Sequence, residues 1–210
     1  MTSVSFDGVG EPAWIAAEAQ RIVENARYST YQPESYIDEP AGIFDVDCSG
    51  FVAYVLERIA PDRLREIPKR PGENRPRACE YFEFFDSLKP GDIPGWQRVD
   101  TVLQCKRGDL VAWREPEILG ESSGHVLMVA GEPEIRDDGV VAVPVYDSAI
   151  VPHFDDSRQA GGTHNTGVGM GILLFQVDGD GRAMGETFGP SEVFRKHAVA
   201  LARVIETSRA

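Results

Sequence analysis

Residues 47–59 read DCSGFVAYVLERI, and this stretch determines how the N-terminal half of the chain folds. After Cys48, the apolar side chains Val52, Val55 and Ile59 recur at helical spacing, and a proline follows two positions later. The pattern predicts a helix that begins at or just before Cys48. Backbone N–H groups in the first turn of a helix lack partners and carry partial positive charge, so they favour a thiolate over a thiol.

Cys48 has two interpretations at this point. It is either a buried structural cysteine at the start of a core helix, with Asp47 or Ser49 capping that helix, or a nucleophile activated by the helix terminus. A base elsewhere in the chain would favour the second interpretation.

A candidate base lies far downstream, in the segment Gly124-His125-Val126. His125 begins an apolar run, which predicts a position at the start of a strand, near the rim of a sheet. Histidine is the usual general base near neutral pH, and with a thiol it forms a thiolate–imidazolium pair. Alone, His125 would be read as a solvent-facing strand residue. The combination with Cys48 favours the catalytic interpretation.

A third group should orient the imidazole by accepting its other N–H. The runs Val126–Ala130 and Val140–Tyr146 predict a hairpin with its turn at Asp137-Asp138-Gly139, which brings Asp147 beside His125. The alternatives are that Asp147 begins a turn, or that His153 takes its place. Asp147 is the favoured candidate.

Composition limits the classes of function. The chain has 210 residues, enough for one domain, and a net charge of −13, which repels phosphate backbones and argues against nucleic acid as a partner. No apolar run approaches about 18 residues and no signal peptide is apparent, so we expect a cytoplasmic protein without membrane attachment. Three widely spaced cysteines argue against a disulfide framework and against a cysteine-based metal site.

The order of elements predicts an α+β fold, with N-terminal helices packed on a mostly antiparallel sheet. We expect a single domain over 1–210, with 61–77 as an exposed insertion and 149–171 as a long loop. Pro144 is expected to place its strand at an edge or a bulge. The predicted helices are 13–28, the Cys48 helix and 78–88, and the predicted strands are Leu110–Trp113, Val126–Ala130, Val140–Tyr146, Ile172–Val177, Ala183–Phe188 and His197–Ile205.

Four segments together resemble the NlpC family of bacterial cell-wall cysteine peptidases and amidases, a branch of the papain-like fold. The similarity covers about residues 14 to 148, and the cysteine segment is its most specific part. The segments are Tyr36, twelve residues before the cysteine, then residues 44–52 (FDVDCSGFV), Arg107-Gly108-Asp109-Leu110-Val111, and Gly124-His125-Val126.

The resemblance implies that Cys48 is the nucleophile, His125 the base, and a polar residue on the next strand the orienting group. It also implies that Tyr36 contacts substrate or shapes the oxyanion site, and that Asp47 and Ser49 hold a free amine of the substrate. Two features depart from the family pattern. Glu39-Pro40-Ala41-Gly42 replaces a Gly-Gly pair, and an aspartate stands where histidine is more common.

Two further segments carry candidate binding residues. Residues 62–77 hold six basic and three acidic side chains, which suggests capture of an anionic substrate or, alternatively, a solvated charged loop. Residues 149–171 either form a wall of the cleft that includes His153 or are only a connection. A metal role for His153, Asp155, Asp156 and His164 lacks any tight ligand spacing, so no metal is expected.

The sequence thus predicts a thiol hydrolase that cleaves an amide bond in a small peptide through an acyl-enzyme on Cys48. A peptidoglycan-derived or γ-glutamyl peptide is the expected partner, and no cofactor is expected. Two alternatives stay open: an acyltransferase that uses the same thiol, and a non-catalytic binding module. The oligomeric state is not indicated. Export by a signal-independent route is a further alternative to the cytoplasm.

Overall fold

The computed structural model describes residues 11–89, 95–115, 124–160, 165–187 and 189–205. The helices in these ranges are α1 (Glu11–Asn25), α2 (Cys48–Ile59), α3 (Pro61–Glu66), α4 (Ala78–Ser87) and α5 (Ser157–Ala160). The strands are β1 (Tyr36–Asp38), β2 (Ile43–Asp45), β3 (Trp96–Val99), β4 (Leu110–Arg114), β5 (Gly124–Val129), β6 (Glu134–Ile135), β7 (Val141–Ala149), β8 (Gly167–Val177), β9 (Ala183–Thr187), β10 (Phe194–Arg195) and β11 (Val199–Val204). None of the helices in the described ranges is long and apolar enough to cross a membrane.

One antiparallel sheet forms the body of the molecule. Its strand order is β10-β9-β8-β7-β5-β4-β11-β3, with β6 paired to β7, while β1 and β2 form a separate hairpin. Strand β9 also contacts β11, so the sheet curls. Together with the helices packed against it, this sheet confirms the predicted α+β class with a mostly antiparallel sheet.

The two faces of the sheet bury different clusters. On β5, Val126 and Met128 pack with the helices, while Leu127 and Val129 join a second cluster with Trp113 on the opposite face. Successive side chains of a strand alternate between faces, so His125 has the same orientation as Leu127. Each fully buried aliphatic side chain stabilises the fold by about 1.5–3 kcal/mol. The sheet is thereby fixed on both faces around the strand that carries the candidate base.

The prediction for Pro144 was wrong in one respect. Strand β7 lies inside the sheet, between β5 and β8, rather than at an edge. It pairs with β5 at Tyr146 and Val145, and with β6 at Ala142 and Val141. The carbonyl of Pro144 accepts the Ala130 N–H at 2.8 Å, so its ring nitrogen faces the gap between these two partners. A missing N–H costs no ladder hydrogen bond there.

The predicted loop 149–171 was also too long. Strand β7 continues to Ala149 and β8 already begins at Gly167, with α5 between them. Polar side chains at the end of β7 and glycines at the start of β8 concealed both extensions, because these residue types are typical of turns. Within the insertion 61–77, Pro61 ends α2 but also begins α3, as proline does at a first helical position.

Both predicted turns are present, although the turn at Asp137-Asp138-Gly139 joins β7 to the short strand β6 rather than directly to β5. Gly139 donates its backbone N–H to Arg136 at 2.9 Å in the turn between β6 and β7. In the turn between β8 and β9, the Asp178 backbone N–H donates to the Arg182 carbonyl at 2.9 Å. The strand predicted at His197–Ile205 is β11, which lies between β4 and β3. Phe188, the predicted last residue of the preceding strand, lies outside the described residues.

Candidate active site

Cys48 is the first residue of α2, as the apolar spacing predicts. The helix is capped by Asp47, whose Oδ1 accepts the Gly50 N–H at 2.6 Å and the Ser49 hydroxyl at 3.1 Å. Cys48 is only 3% exposed, yet it lines a cleft of about 910 Å³. The sulfur is therefore both packed and reachable from the cleft, at the positive end of the helix dipole.

His125 lies at the start of β5, directly after Gly124. An added Cβ on Gly124, whose φ is 123°, would meet the Trp113 carbonyl oxygen at 2.0 Å, so only glycine fits this close approach between strands. The His125 ring packs against Trp113, with ring centroids 5.0 Å apart. These contacts hold the imidazole at the cleft, which it also lines.

The ring of His125 connects the sulfur to a carboxylate. Its Nε2 lies 2.7 Å from Oδ2 of Asp147, which leaves Nδ1 as the ring nitrogen available to Cys48. Burial lowers the pKa of His125, but the charge of Cys48 and the hydrogen bonds to Asp147 and Cys48 outweigh it and raise this pKa to about 10. The surroundings of the ring therefore favour its protonated form.

Asp147 is fully buried at the centre of a hydrogen-bond network. Besides His125, its carboxylate accepts His153 Nε2 at 2.8 Å and Arg158 Nη2 at 2.9 Å. Burial raises the pKa of Asp147, but the charges of His153 and Arg158 and the two histidine hydrogen bonds bring it well below its usual value. The structure thus joins both residues that the sequence left as alternatives: Asp147 contacts the base, and His153 contacts Asp147.

Sequence reasoning missed Arg158, which is buried on α5 beside Asp147. Its guanidinium also bonds Asp156 at 2.7 and 2.8 Å and donates to the Gly167 carbonyl at 2.9 Å. Added Cβ atoms on Gly169 and Gly171 would lie 2.6 Å from atoms of Arg158 and Asp156. The alternating glycines of β8 leave room for this pair, and they were the signal in the sequence that could have indicated it.

Tyr31, rather than Tyr36, is the tyrosine beside the sulfur. Its hydroxyl lies 3.9 Å from Cys48 Sγ. Burial raises the pKa of Tyr31 strongly, and the negative charges of Cys48 and Asp47 raise it further, so this hydroxyl remains a donor. Tyr36 lies on β1, is 56% exposed, and is absent from the described residues that line the cleft. The sequence prediction for Tyr36 rests on its spacing from Cys48, whereas Tyr31 is the tyrosine among the described residues that line the cleft.

Asp47 and Ser49, predicted to hold a substrate amine, are bonded to an arginine of the insertion. Arg75 Nη2 lies 3.0 Å from Asp47 Oδ2, and its Nη1 donates to the Ser49 hydroxyl. Arg75 lines the cleft together with Arg77, from the same insertion. Part of segment 62–77 is therefore a wall of the cleft next to Cys48.

Three described side chains offer ligand atoms close enough together for a metal ion: His125, Asp147 and His153 lie within 4.8 Å of one another. Both histidines already direct Nε2 at one oxygen of Asp147, and Arg158 occupies the other oxygen. A cation would have to replace the ring protons beside a guanidinium, so the arrangement fits a proton network better than a metal centre. Of the residues considered for a metal in the sequence, His164 lies outside the described residues.

We expect Asp147→Asn to lower the pKa of His125 from about 10 toward 6.5, because the substitution removes a negative charge that stabilises the imidazolium. The raised pKa stabilises the fold fully below about pH 6.5, and this contribution is lost as pH rises through about 10. An NMR titration that follows the histidine ring carbons measures the His125 midpoint in the wild type and in Asp147→Asn. His197, which bonds Glu186 instead, is the internal reference. An unchanged His125 midpoint would contradict the assignment.

Comparison with known proteins adds little to this geometry. No protein-family model matches the chain, and no curated protein matches it. Among solved structures, the chain is similar to the wild-type endolysin LysIME-EF1, with 15% identity and a TM-score of 0.37. The match covers 85% of this chain and 65% of the endolysin chain. At that score the likeness carries no argument about fold or function.

Proposed function

We propose that the protein is a cysteine hydrolase of the papain-like, NlpC type that cleaves an amide bond through an acyl-enzyme. The observation that carries this proposal is that Cys48, at the start of α2, and His125, whose Nε2 lies 2.7 Å from the Asp147 carboxylate, line the same cleft. A nucleophile, a base and an orienting group in contact are what thiol hydrolysis requires.

Each group has one role in the reaction. The Cys48 thiolate attacks the carbonyl carbon, forming a C–S bond. The C–N bond then breaks as the His125 imidazolium gives its proton to the leaving nitrogen. Neutral His125 next takes a proton from water, which attacks the thioester and releases the acid and the thiolate. Asp147 keeps the ring oriented and stabilises its charge in each protonated state.

Two donors are available for the oxyanion of the tetrahedral intermediate. Cys48 is the first residue of α2, so its backbone N–H has no acceptor within the helix. The Tyr31 hydroxyl, close to the sulfur and held protonated, is the second. Removal of one such donor typically costs about 10²–10³ in kcat. This supplies the second donor that the sequence alone did not identify.

A small peptide of the peptidoglycan-derived or γ-glutamyl class is the proposed substrate. The test is incubation with a panel of muropeptides and γ-glutamyl peptides, followed by mass spectrometry of the products and of the intact protein. We expect cleavage of one amide and a transient acyl adduct on Cys48. Preferential transfer of that adduct to added amine over water would identify an acyltransferase. No alkylation of Cys48 by iodoacetamide at pH 6 would identify a binding module.

A further inference from the structure

We infer that Arg75 makes the wall of the cleft beside Cys48 a subsite for a substrate carboxylate close to the scissile amide. This inference rests on the proposed function and narrows its substrate class to anionic peptides. It also replaces the expectation that the same wall holds a free amine.

Arg75 is bound to both neighbours of the nucleophile. It bonds Asp47 on one side of Cys48 and Ser49 on the other, and its Nη2 also donates to the Pro33 carbonyl at 3.1 Å. The side chain is 18% exposed and lines the cleft. A guanidinium fixed by three acceptors is already ordered, so it loses little conformational entropy when it binds a further acceptor.

The acceptors that an amine would need are already occupied. Asp47 Oδ1 accepts the Gly50 N–H and the Ser49 hydroxyl, while Oδ2 accepts Arg75. The Ser49 hydroxyl in turn accepts Arg75. An incoming ammonium would also meet the Arg75 charge. Hydrogen-bond donors therefore predominate on this wall. In its bonds to described residues, Arg75 uses Nη1 once and does not use Nε. The N-terminus of α2, the positive end of its dipole, also lies beside Arg75.

The other charged groups of the cleft lining do not reverse this preference. Arg77 is paired with Glu73, and Arg195 lies 3.4 Å from Glu115. Glu34 also lines the cleft but is solvent-exposed, where water and salt screen its charge. Of the cations in the lining, Arg75 is the one that bonds the residues on either side of Cys48, so it is the group that a carboxylate near the reacting carbonyl would meet.

The first experiment compares two substrates that differ only in charge. One is a γ-glutamyl peptide with a free α-carboxylate near the scissile γ-amide, and the other is the same peptide with that carboxylate amidated. We expect the wild type to prefer the carboxylate by about 10- to 100-fold in kcat/KM, as a charge-assisted hydrogen bond allows. Arg75→Met should abolish the preference and Arg75→Lys should retain part of it. Arg65→Met, which removes an exposed charge from the same insertion, should leave the preference unchanged.

The second experiment does not need turnover. Cys48 is alkylated with iodoacetate, an anion, and with iodoacetamide, its neutral analogue, and the ratio of the two rates is taken within each variant. The ratio cancels changes in the intrinsic reactivity of the thiol. We expect Arg75→Met to lower the iodoacetate-to-iodoacetamide ratio about tenfold relative to wild type, and Arg65→Met to leave it unchanged.

The outcomes separate the two proposals. If both reagents alkylate Cys48 and Arg75→Met leaves the ratio of their rates unchanged, the carboxylate subsite is overturned and the hydrolase proposal stands. Preference for the amidated peptide in the wild type also overturns the subsite. Failure of both reagents to reach Cys48 overturns the hydrolase proposal, and the subsite with it.

Discussion

Cys48→Ala is expected to abolish hydrolysis, lowering kcat by at least about 10⁴-fold, because Cys48 is the one thiol among the described residues that line the cleft. The substitution removes one sulfur atom from the start of α2 and keeps the Asp47 cap, so the fold should persist. Initial rates on the cleaved peptide, together with an unfolding curve for each protein, measure both effects.

The matched control for Cys48 is Cys105, another buried free cysteine. Cys105 packs in the second cluster of the sheet, away from the residues that line the cleft, and burial raises its pKa strongly, so its thiol is inert. Cys105→Ala should leave kcat unchanged. Turnover by Cys48→Ala within tenfold of the wild-type value would show that the nucleophile lies elsewhere.

Arg158→Met is expected to lower the free energy of unfolding by about 3–5 kcal/mol, because it leaves the Asp156 carboxylate buried without a cation and removes one of the cations around Asp147. Urea unfolding measures the change. The matched control is Arg182→Met, which removes an exposed pair with Asp180 and should cost at most about 1 kcal/mol.

Neutralising an acid together with the arginine provides a second check on this network. Arg158→Met combined with Asp156→Asn should recover part of the lost stability, since the buried carboxylate that has lost its cation is neutralised. If Arg158→Met costs no more than Arg182→Met, the buried network does not hold the fold together. Weak hydrolysis by a folded Arg158→Met protein would identify Arg158 as a positioning residue for Asp147.

Local patterns in the sequence were sufficient for the elements that carry the catalytic candidates. The start of α2 follows from the spacing of apolar residues after Cys48, and the hairpin logic brings Asp147 to His125 because residue alternation and turn chemistry are local properties. The α+β class follows in the same way, from helical spacing early in the chain and strand alternation later.

The groups that complete the site depend on contacts between distant segments, which periodicity does not encode. Arg158 reaches Asp147 only because β8 folds back on β7, and Arg75 reaches Asp47 only because the insertion folds over α2. Tyr31 was passed over for Tyr36 because spacing along the chain is a poor guide across an irregular segment. The place of β11 between β4 and β3 is likewise a long-range pairing.

Strand β7 places two neighbouring polar side chains on opposite faces of the sheet. Asp147 contacts His125. The hydroxyl of Ser148 donates to the Val46 carbonyl, just before α2, at 2.6 Å. Positions 46 and 148 are 102 residues apart, and closing so large a loop is slow and entropically costly. This contact therefore depends on the long-range topology of the fold rather than on local structure. Under the proposed function, a chain that has not yet made this contact would not yet hold Asp147 next to the start of α2, where Cys48 lies.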